Sequence, residues 1–223
     1  MRLAIFDLDN TLLAGDSDYL WGQFLIETGV VERERYEREN LRFYEAYKAG
    51  TLDIDEFCRF SFAPLAANQT ATLLAWRERF VAEKIAPIVA DLAPALIEKH
   101  RQQGDYLLIT TATNRFVTEP IAELLGVDAL IATDPEFVDG RYTGQVAGLP
   151  NFQDGKVVRL EAFLASLPEP AEHLTCYSDS RNDLPLLERA DVAVAVDPDP
   201  TLEATARQRG WRVISLRTPV AAG

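Results

Sequence analysis

The chain of 223 residues is long enough for one core domain and a smaller second one. Its formal net charge of -13 disfavours binding to nucleic acid or to anionic membranes, because both require a basic protein surface. The two cysteines, Cys58 and Cys176, are too far apart in sequence to form a metal-ligand motif. With no apolar stretch of secretory or membrane-spanning length, the sequence predicts a cytoplasmic protein.

The first predicted element is a strand buried on both faces, because residues 3–6 form an uninterrupted apolar run. Asp7 and Asp9 follow its end, where open α/β sheets bind ligands. Clustered carboxylates repel one another unless a cation such as Mg²⁺ lies among them, and one of them can attack phosphorus as a nucleophile. Acidic residues also serve as turn or helix-cap residues after a strand, so this motif alone does not establish catalysis.

The next segment has helical periodicity and no strand signal, and we interpret it as an all-helical cap over the two carboxylates. Four helices are predicted in it. The first runs from about residue 16 to residue 29 and the second spans residues 32–49; the third begins near residue 53 and the fourth spans residues 70–84. The aromatic residues of the segment recur at helical spacing and are interpreted mainly as internal packing of the cap. Glycine and proline near its two junctions with the core mark the expected hinges.

Strands and helices alternate along the remainder of the chain, which predicts βαβ units with helices on both faces of a parallel sheet. The strands are expected at 106–110, 129–132, 173–177, 192–196 and 211–216, and the helices at 114–125, 154–164 (capped by Asp154), 182–189 and 201–208. Asp139-Gly140, between apolar or aromatic flanks, predicts a β-hairpin. The predicted fold class is therefore α/β, with a doubly wound, parallel-sheet (Rossmann-like) core, an inserted all-helical cap and a small β-hairpin. The core is assigned to residues 1–14 and 86–223, and the cap to residues 15–85.

A second pair of acids, Asp179 and Asp183, follows the strand predicted at 173–177. All carboxyl ends of a parallel sheet lie at one edge, so Asp179 can face Asp7 and Asp9 if their strands are neighbours. Oxygen ligands converging in this way suit octahedral Mg²⁺. Turn and helix-cap roles explain either acidic pair taken singly, but explain both together poorly.

Two further residue types suit a phosphate site at the same edge. A hydroxyl of Thr110 or Thr111, at the end of a strand, would reach a phosphoryl oxygen. Lys156 lies near the start of a helix, where the dipole disfavours a cation unless an anion compensates. An ordinary turn bond for the threonine and a solvated surface position for the lysine are the structural alternatives.

These motifs together resemble the haloacid dehalogenase-like (HAD) hydrolase superfamily over the whole chain. They are, in order, Asp7-x-Asp9-x-Thr11, Thr111, Lys156 and Ser178-Asp179-x-x-Asn182-Asp183. A helical insertion between the first strand and the strand of Thr111 resembles the phosphoserine-phosphatase-like subgroup, subfamily IB, which carries a helical C1 cap.

The resemblance implies a division of roles among the acidic residues. Asp7 would be the nucleophile, and Asp9 would be the general acid for the leaving oxygen and later the base for the hydrolytic water. Mg²⁺ would be held by Asp7, by the backbone carbonyl of Asp9 and by Asp179, with Asp183 in support. An aspartate at the second carboxylate position favours phosphoryl transfer over dehalogenation.

The resemblance also implies a phosphate site and, by its departures, a substrate site. Thr111, Lys156 and Asn182 would form the phosphate site, with Asn182 orienting Lys156 or a metal-bound water. Ala112-Thr113 stands where phosphoserine phosphatases have a glycine pair, and would narrow the space for the ligand. Asp16 corresponds to a cap glutamate near the substrate amine, and Arg59 is the candidate for an arginine that holds the substrate carboxylate. A helix N-cap and a solvated surface are their structural alternatives.

The leading hypothesis is a Mg²⁺-dependent phosphomonoester hydrolase that forms a covalent aspartyl-phosphate. Its expected partner is a small, amine-bearing phosphorylated metabolite such as phosphoserine or histidinol phosphate, with a sugar phosphate as the alternative. No nucleic acid or membrane partner is expected, and the protein is a monomer or a homodimer. The alternatives from other classes are a receiver-like signalling domain, which would lack a helical cap, and a non-catalytic phosphate-binding module.

Overall fold

Residues 1–218 are described by the structure, which is a computed structural model. The strands are β1 (Arg2–Phe6), β2 (Tyr106–Asn114), β3 (Ala129–Thr133), β4 (Pro135–Val138), β5 (Arg141–Val146), β6 (His173–Ser178), β7 (Val192–Val196) and β8 (Arg212–Ile214). The helices are α1 (Ser17–Glu27), α2 (Arg33–Ala49), α3 (Ile54–Ala67), α4 (Thr70–Phe80), α5 (Ala93–Gln102), α6 (Arg115–Leu125), α7 (Asp154–Ser166), α8 (Leu184–Arg189) and α9 (Pro200–Arg209). Short helical turns cover Val81–Ile85, Ala86–Ile88 and Arg181–Asp183.

Six of these strands form one parallel sheet in the order β3-β2-β1-β6-β7-β8. β1 lies between β2 and β6, and Phe6 is in register with Ile109 on one side and Tyr177 on the other. The residues of β1 alternate between two apolar clusters, one on each face of the sheet. A strand buried on both faces must be apolar at every position, which explains the opening run of the sequence.

The four cap helices lie between β1 and β2, and β4 and β5 form a separate antiparallel hairpin. The predicted fold class is thus confirmed, while the exact residue limits of the cap remain a prediction. In the hairpin turn Asp139 and Gly140 both have positive φ angles, 48° and 80°. Such a turn favours Asp-Gly because it matches the twist of the two strands. Across the cap interface, the Thr70 hydroxyl donates to the Gly140 carbonyl at 2.8 Å.

Side-chain caps explain where three of the cap helices begin. Asp16, Glu32 and Asp53 each accept hydrogen bonds from backbone N–H groups in the first turn of α1, α2 and α3. The expected cap by Asp154 is wrong, since α7 is preceded by Gln153 with a φ of 48° and has no side-chain cap.

The base of the cap is joined to the core by apolar contacts. Leu13 pairs with Val89, so the two connecting segments run side by side. Beyond them, the Trp21 ring of α1 packs edge-to-face on Phe116 of α6 with centroids 5.8 Å apart. These rings belong to one buried cluster that continues from the sheet into the cap. The expectation of simple hinges at the two junctions is therefore wrong, because the cap is not separable there.

Within residues 1–218, helices that combine the length and the apolarity needed to cross a bilayer are absent.

Candidate active site

Three strand ends meet at the carboxyl edge of the sheet. Asp7 follows β1, Thr111 lies near the end of β2, and Asp179 follows β6. Because β1 lies between β2 and β6, all three side chains converge on one crevice. The sequence-based expectation that the two acidic clusters can face each other rests on this neighbour relation, which the sheet order provides.

The turn after β1 connects two of the acids through one hydroxyl. Asn10 adopts a φ of 58°, a region that asparagine tolerates better than most residues, and the chain reverses within residues 8–13. The Thr11 hydroxyl lies 3.1 Å from Asp7 Oδ2 and 3.2 Å from Asp179 Oδ1. It also accepts the backbone N–H of Asp179 at 3.0 Å. Two carboxylates from separate strands are thereby held next to each other.

Lys156 provides positive charge beside this pair. Its side chain is only 1% exposed, and its ammonium group donates to Asp7 Oδ1 and Asp183 Oδ2, both at 2.8 Å. The Ser178 hydroxyl also donates to Asp183 Oδ2, at 2.8 Å. Burial lowers the pKa of Lys156, but the Asp183 and Asp7 carboxylates outweigh this effect and keep it above its ordinary value. Lys156 is therefore a permanent cation between two acids.

The loop before α7 explains how a buried lysine reaches the site. A side chain at Gly155 would place its Cβ 2.3 Å from the Pro150 carbonyl oxygen, so only glycine permits this close approach. Asn151 Nδ2 lies within 3.1 Å of Thr110 Oγ1 and of two carbonyl oxygens of β2 and β3. The loop is thus fixed to the sheet edge. Lys156, in the first turn of α7, extends from there into the crevice.

The acids outnumber the cations in this crevice. Burial raises the pKa of Asp7 to about 7; Lys156 opposes this increase, and Asp183 and Asp9 add to it. Burial, with the charges of Asp7 and Asp183, also raises the pKa of Asp179. Within residues 1–218, Asp179 forms no ion pair with a basic side chain. The site therefore has a deficit of positive charge centred on Asp7 and Asp179.

This donor set fits a magnesium ion that takes few protein ligands. Mg²⁺ prefers oxygen ligands, keeps several waters and is usually bound by one or two carboxylates. Asp7 and Asp179 would supply those carboxylates, and burial of the pair accounts for its need of a counter-charge. Among the described residues, no group of three or more His, Cys, Asp or Glu side chains is arranged to hold a metal. The remaining ligands would thus be a backbone carbonyl and water.

The Asp9 carboxylate points away from this pair and is held by three donors. Its Oδ1 accepts the Ser17 N–H at 2.6 Å, from the first residue of α1. Its Oδ2 accepts the Thr113 hydroxyl at 2.8 Å and the Thr111 hydroxyl at 3.3 Å. The side chains of Asp7 and Asp9 thus have different partners, which suits the different roles that the sequence predicts for them.

The two threonines at the end of β2 are now distinguishable. Thr110 Oγ1 accepts a hydrogen bond from Asn151 and lies away from the acids. Thr111 Oγ1 accepts the Thr113 N–H at 3.1 Å and lies beside Asp9. Of the two, Thr111 is the hydroxyl that lines the crevice.

A cavity of about 40 Å³ lies between the acids and the cap. One side is acidic and includes Asp16 and Asp18 of the α1 start. Burial and the Asp9 charge raise the pKa of Asp18 to about 7, and raise that of Asp16 as well. The lining also includes five aromatic side chains, those of Tyr19, Phe43, Tyr44, Tyr47 and Phe57.

The remaining candidates from the sequence lie in different surroundings. Asp16 both caps α1, accepting the Tyr19 N–H at 2.8 Å, and lines the cavity. Arg59 is exposed in a groove on the outer surface of the cap, and the structure does not bring it to the cavity. The Asn182 side chain donates to the Tyr47 carbonyl at 3.0 Å and accepts from Gln153 at 3.2 Å. These hydrogen bonds of Asn182 connect α2 to the core. In the described part of the chain, the Asn182 side chain makes no hydrogen bond to Lys156.

Several residues of the site were missed by the sequence analysis. Thr113 contacts Asp9, and Asp18 accepts hydrogen bonds from Ser61 and Asn114, both at 3.3 Å. The interpretation of the cap aromatics as internal packing was incomplete, because five aromatic side chains of the cap line the cavity. The Asp-x-Asp spacing at the start of α1 was the available signal for a second cap acid.

Comparison with known proteins identifies the family. A family model described as haloacid dehalogenase-like hydrolase matches residues 4–188. The chain belongs to this family. A histidinol-phosphatase of Neisseria meningitidis serogroup C is 42% identical to this HAD-like hydrolase over 220 residues, covering 97% of the chain and 99% of the relative. Phosphoserine phosphatase SerB1 of Mycobacterium tuberculosis is 31% identical over 222 residues, covering 96% and 70%. The predicted family and enzyme class, an HAD-like phosphatase, are confirmed, which disfavours a receiver-like domain and a non-catalytic module.

Solved structures share the fold of this HAD-like hydrolase. A protein of unknown function from Bordetella pertussis Tohama I superposes with a TM-score of 0.91 at 44% identity, covering 96% of this chain and 98% of that one. A phospho-aspartyl intermediate analogue of phosphoserine phosphatase superposes with a TM-score of 0.70 at 18% identity, covering 97% and 93%. At that identity the second likeness concerns the fold alone.

Proposed function

We propose that this HAD-like hydrolase is a Mg²⁺-dependent phosphomonoesterase for a small amine-bearing metabolite, acting through a covalent phosphoryl group on Asp7. The observation that carries the proposal is the meeting of Asp7 and Asp179 at the Thr11 hydroxyl, with Lys156 at 2.8 Å from Asp7. Phosphoryl transfer depends mainly on positioning and on charge stabilisation, and this crevice offers both.

The first half-reaction follows from the partners of each acid. An Asp7 carboxylate oxygen attacks phosphorus, while Lys156 and Thr111 hold the phosphoryl oxygens and offset their charge. As the ester bond breaks, Asp9 gives a proton to the leaving oxygen, and the alcohol departs. A magnesium ion held by Asp7, Asp179 and the Asp9 carbonyl would supply further stabilisation of the phosphoryl charge.

The second half-reaction regenerates the enzyme. Asp9, now ionised, takes a proton from a water molecule that attacks the phosphoryl group on Asp7. Inorganic phosphate leaves, Asp7 is restored as a carboxylate, and Asp9 is again protonated for the next cycle. Lys156 stays protonated throughout, because the two carboxylates beside it raise its pKa.

The cavity chemistry favours an amine without a carboxylate. Its lining includes Asp16 and Asp18, and within residues 1–218 it includes no Lys, Arg or His. A substrate amine would face carboxylates, whereas a substrate carboxylate would have no cationic partner there. The aromatic lining of the cavity suits a planar ring. Histidinol phosphate combines these features, in line with the name of the relative that is 42% identical.

Substrate entry requires the cap to open. A space of about 40 Å³ has room for only about three water molecules. Since the base of the cap is packed on the core, α2 is the element best suited to move. Its described contacts with the core centre on Tyr47, whose carbonyl accepts from Asn182 at 3.0 Å and whose hydroxyl is hydrogen-bonded to Ser180. Hydrogen bonds of this kind exchange readily with water.

A hydrolysis panel tests the proposed function. With Mg²⁺, we expect kcat/KM for histidinol phosphate to exceed that for glucose 6-phosphate by at least about 100-fold, because a site built for one polar group rejects analogues that lack it. Phosphoserine should be intermediate, and chelation of the metal should remove all activity until Mg²⁺ is restored. Equal rates for sugar phosphates would overturn the amine class alone, while inertness toward every ester would overturn the function.

The Asp18→Asn variant tests the recognition of the amine. We expect KM for an amine-bearing ester to rise about tenfold, because a charge-assisted hydrogen bond is lost, with a much smaller change for a neutral alkyl phosphate. Since burial raises the pKa of Asp18 to about 7, its carboxylate forms as the pH rises through that value. In the unmodified protein KM for the amine should therefore fall between pH 6 and 8, as roughly one pH unit on either side of this pKa spans the titration. Asp55→Asn, at an exposed position of α3, is the matched control.

A further inference from the structure

The buried Thr113 hydroxyl makes the shortest side-chain hydrogen bond to Asp9. It donates to Asp9 Oδ2 at 2.8 Å, compared with 3.3 Å for the Thr111 hydroxyl. Both threonines line the cavity together with Asp9. Thr113 therefore contacts the carboxylate to which the proposed function assigns the proton transfers, a role that no sequence motif indicates.

The two oxygens of Asp9 have chemically different partners. Oδ1 accepts the Ser17 backbone N–H at 2.6 Å, and this group can only donate. Oδ2 is bound only by hydroxyl groups, which can rotate and either donate or accept. A proton on Oδ1 would be directed against a fixed donor, whereas a proton on Oδ2 is compatible with all of its neighbours. Oδ2 is thus the Asp9 oxygen whose hydrogen-bond partners are compatible with proton transfer to a substrate.

We propose that Thr113 is a positioning residue that holds Asp9 Oδ2 toward the leaving oxygen of the substrate. The inference rests on the proposed function, in which Asp9 is the general acid. The Asp9 Oδ2–H bond breaks as the leaving oxygen takes the proton, the ester P–O bond breaks, and Asp7 forms the new bond to phosphorus. Asp9 ends as a carboxylate that again accepts the Thr113 hydroxyl, which keeps it oriented for the water-activation step.

Thr111 cannot take the place of Thr113 in this role. Its hydroxyl is the more distant of the two and already accepts the Thr113 N–H at 3.1 Å. When Thr111 turns its hydroxyl to a phosphoryl oxygen, Thr113 is the remaining side-chain donor to Asp9 Oδ2. The orientation of the acid during proton transfer then depends on Thr113, because misplaced general acids lose much of their effect.

The test compares two esters of similar size that differ in leaving group. 4-Nitrophenolate is a stable anion that leaves with little need of a proton, whereas the alkoxide of benzyl phosphate must be protonated. For Thr113→Val, which keeps the side-chain shape but removes the hydroxyl, we expect the ratio of kcat for benzyl phosphate to kcat for 4-nitrophenyl phosphate to fall about tenfold. Thr113→Ser, which retains a hydroxyl, should restore most of the ratio.

Each outcome of this test bears on the inference. Equal losses on both esters, or a serine variant as impaired as the valine variant, would show that Thr113 acts only in packing and would overturn it. Circular dichroism and the melting temperature establish that each variant is folded. In an Asp9→Asn background, Thr113→Val should leave the ratio unchanged. If Asp9→Asn alone does not lower the ratio, the proposed role of Asp9 fails; if it does and Thr113→Val does not, only this inference fails.

Discussion

Asp7→Asn should lower kcat for Mg²⁺-dependent hydrolysis of 4-nitrophenyl phosphate by at least about 1,000-fold, as expected for loss of a covalent nucleophile. An amide has almost no nucleophilicity toward phosphorus, so substrate positioning by Lys156 and Thr111 cannot compensate. The variant should remain folded, because asparagine is isosteric and its carbonyl oxygen can still accept the Lys156 hydrogen bond, which is 2.8 Å long in the unmodified protein. Steady-state kinetics over several enzyme preparations measures the loss.

A matched control separates loss of the nucleophile from a general effect of removing an acid. Asp55→Asn makes the same chemical change at an exposed position of the cap and should retain normal kcat. If Asp7→Asn retained more than a tenth of the normal rate while folded and free of contaminating phosphatase, Asp7 would not be the nucleophile.

Lys156→Met should have the largest effect on stability. The side chain is 1% exposed and is the described cation between Asp7 and Asp183. Removing one partner of a buried ion pair costs about 3–5 kcal/mol, because the remaining charges are left buried without compensation. We expect this loss in the free energy of unfolding at pH 8, together with loss of catalysis, in denaturant titrations monitored by circular dichroism.

The loss of stability in Lys156→Met should depend on pH in a definite direction. Burial already raises the pKa of Asp7 to about 7 against the opposing effect of Lys156, so removal of the lysine raises it further. A carboxyl group whose folded pKa exceeds the unfolded value of about 4 contributes stability that is present at low pH and lost as the pH rises. The deficit of Lys156→Met should therefore be smallest near pH 5, where roughly all of the Asp7 carboxyl is protonated in both proteins, and should grow as the pH rises above about 7.

An exposed lysine provides the comparison. Lys48 is 53% exposed and pairs with Glu45 at 3.4 Å on α2. Lys48→Met should change the free energy of unfolding by no more than about 0.5 kcal/mol, since exposed pairs contribute little. A Lys156→Met protein as stable at pH 8 as Lys48→Met would contradict the ion-pair arrangement described above.

The positions of Asp7, Asp179 and Lys156 were predictable because they depend on local patterns and one rule of parallel sheets. An apolar run followed by an acid marks a strand end, and all strand ends of such a sheet lie at one edge. The neighbour relation of β1 and β6 then brings Asp7 and Asp179 together. The sequence could not reveal the Thr11 hydroxyl as the contact between them, since this depends on the left-handed conformation of Asn10.

The sequence could not predict which cap side chains point into the cavity, because this depends on how α1 and α2 pack against each other. A side chain at Gly22 would place its Cβ 2.6 Å from Asn40, so α1 and α2 approach closely there. Asn40 also donates to the Tyr19 carbonyl at 3.0 Å. This contact sets the rotation of α2 and directs Phe43 and its aromatic neighbours into the cavity. Helical periodicity shows which residues share a face, but not what that face contacts.

The hinges were misplaced for a similar reason. Glycine and proline mark junctions in the sequence, and they suggested a separable cap. The contact between Trp21 and Phe116 joins segments that are far apart in the chain, so no local pattern indicates it. The attachment of the cap to the core thus depends on apolar contacts between residues distant in sequence.

The central claim is that Asp7 carries the phosphoryl group, and chemical quenching of the reacting enzyme tests it most directly. Wild-type protein mixed with Mg²⁺ and ³²P-labelled substrate is quenched in acid within one turnover, digested, and its peptides are mapped. We predict a hydroxylamine-sensitive label on the peptide that contains Asp7, with greater accumulation in Asp9→Asn when a substrate with a good leaving group is used. Turnover without any labelled protein, or a label on another peptide, would contradict the account.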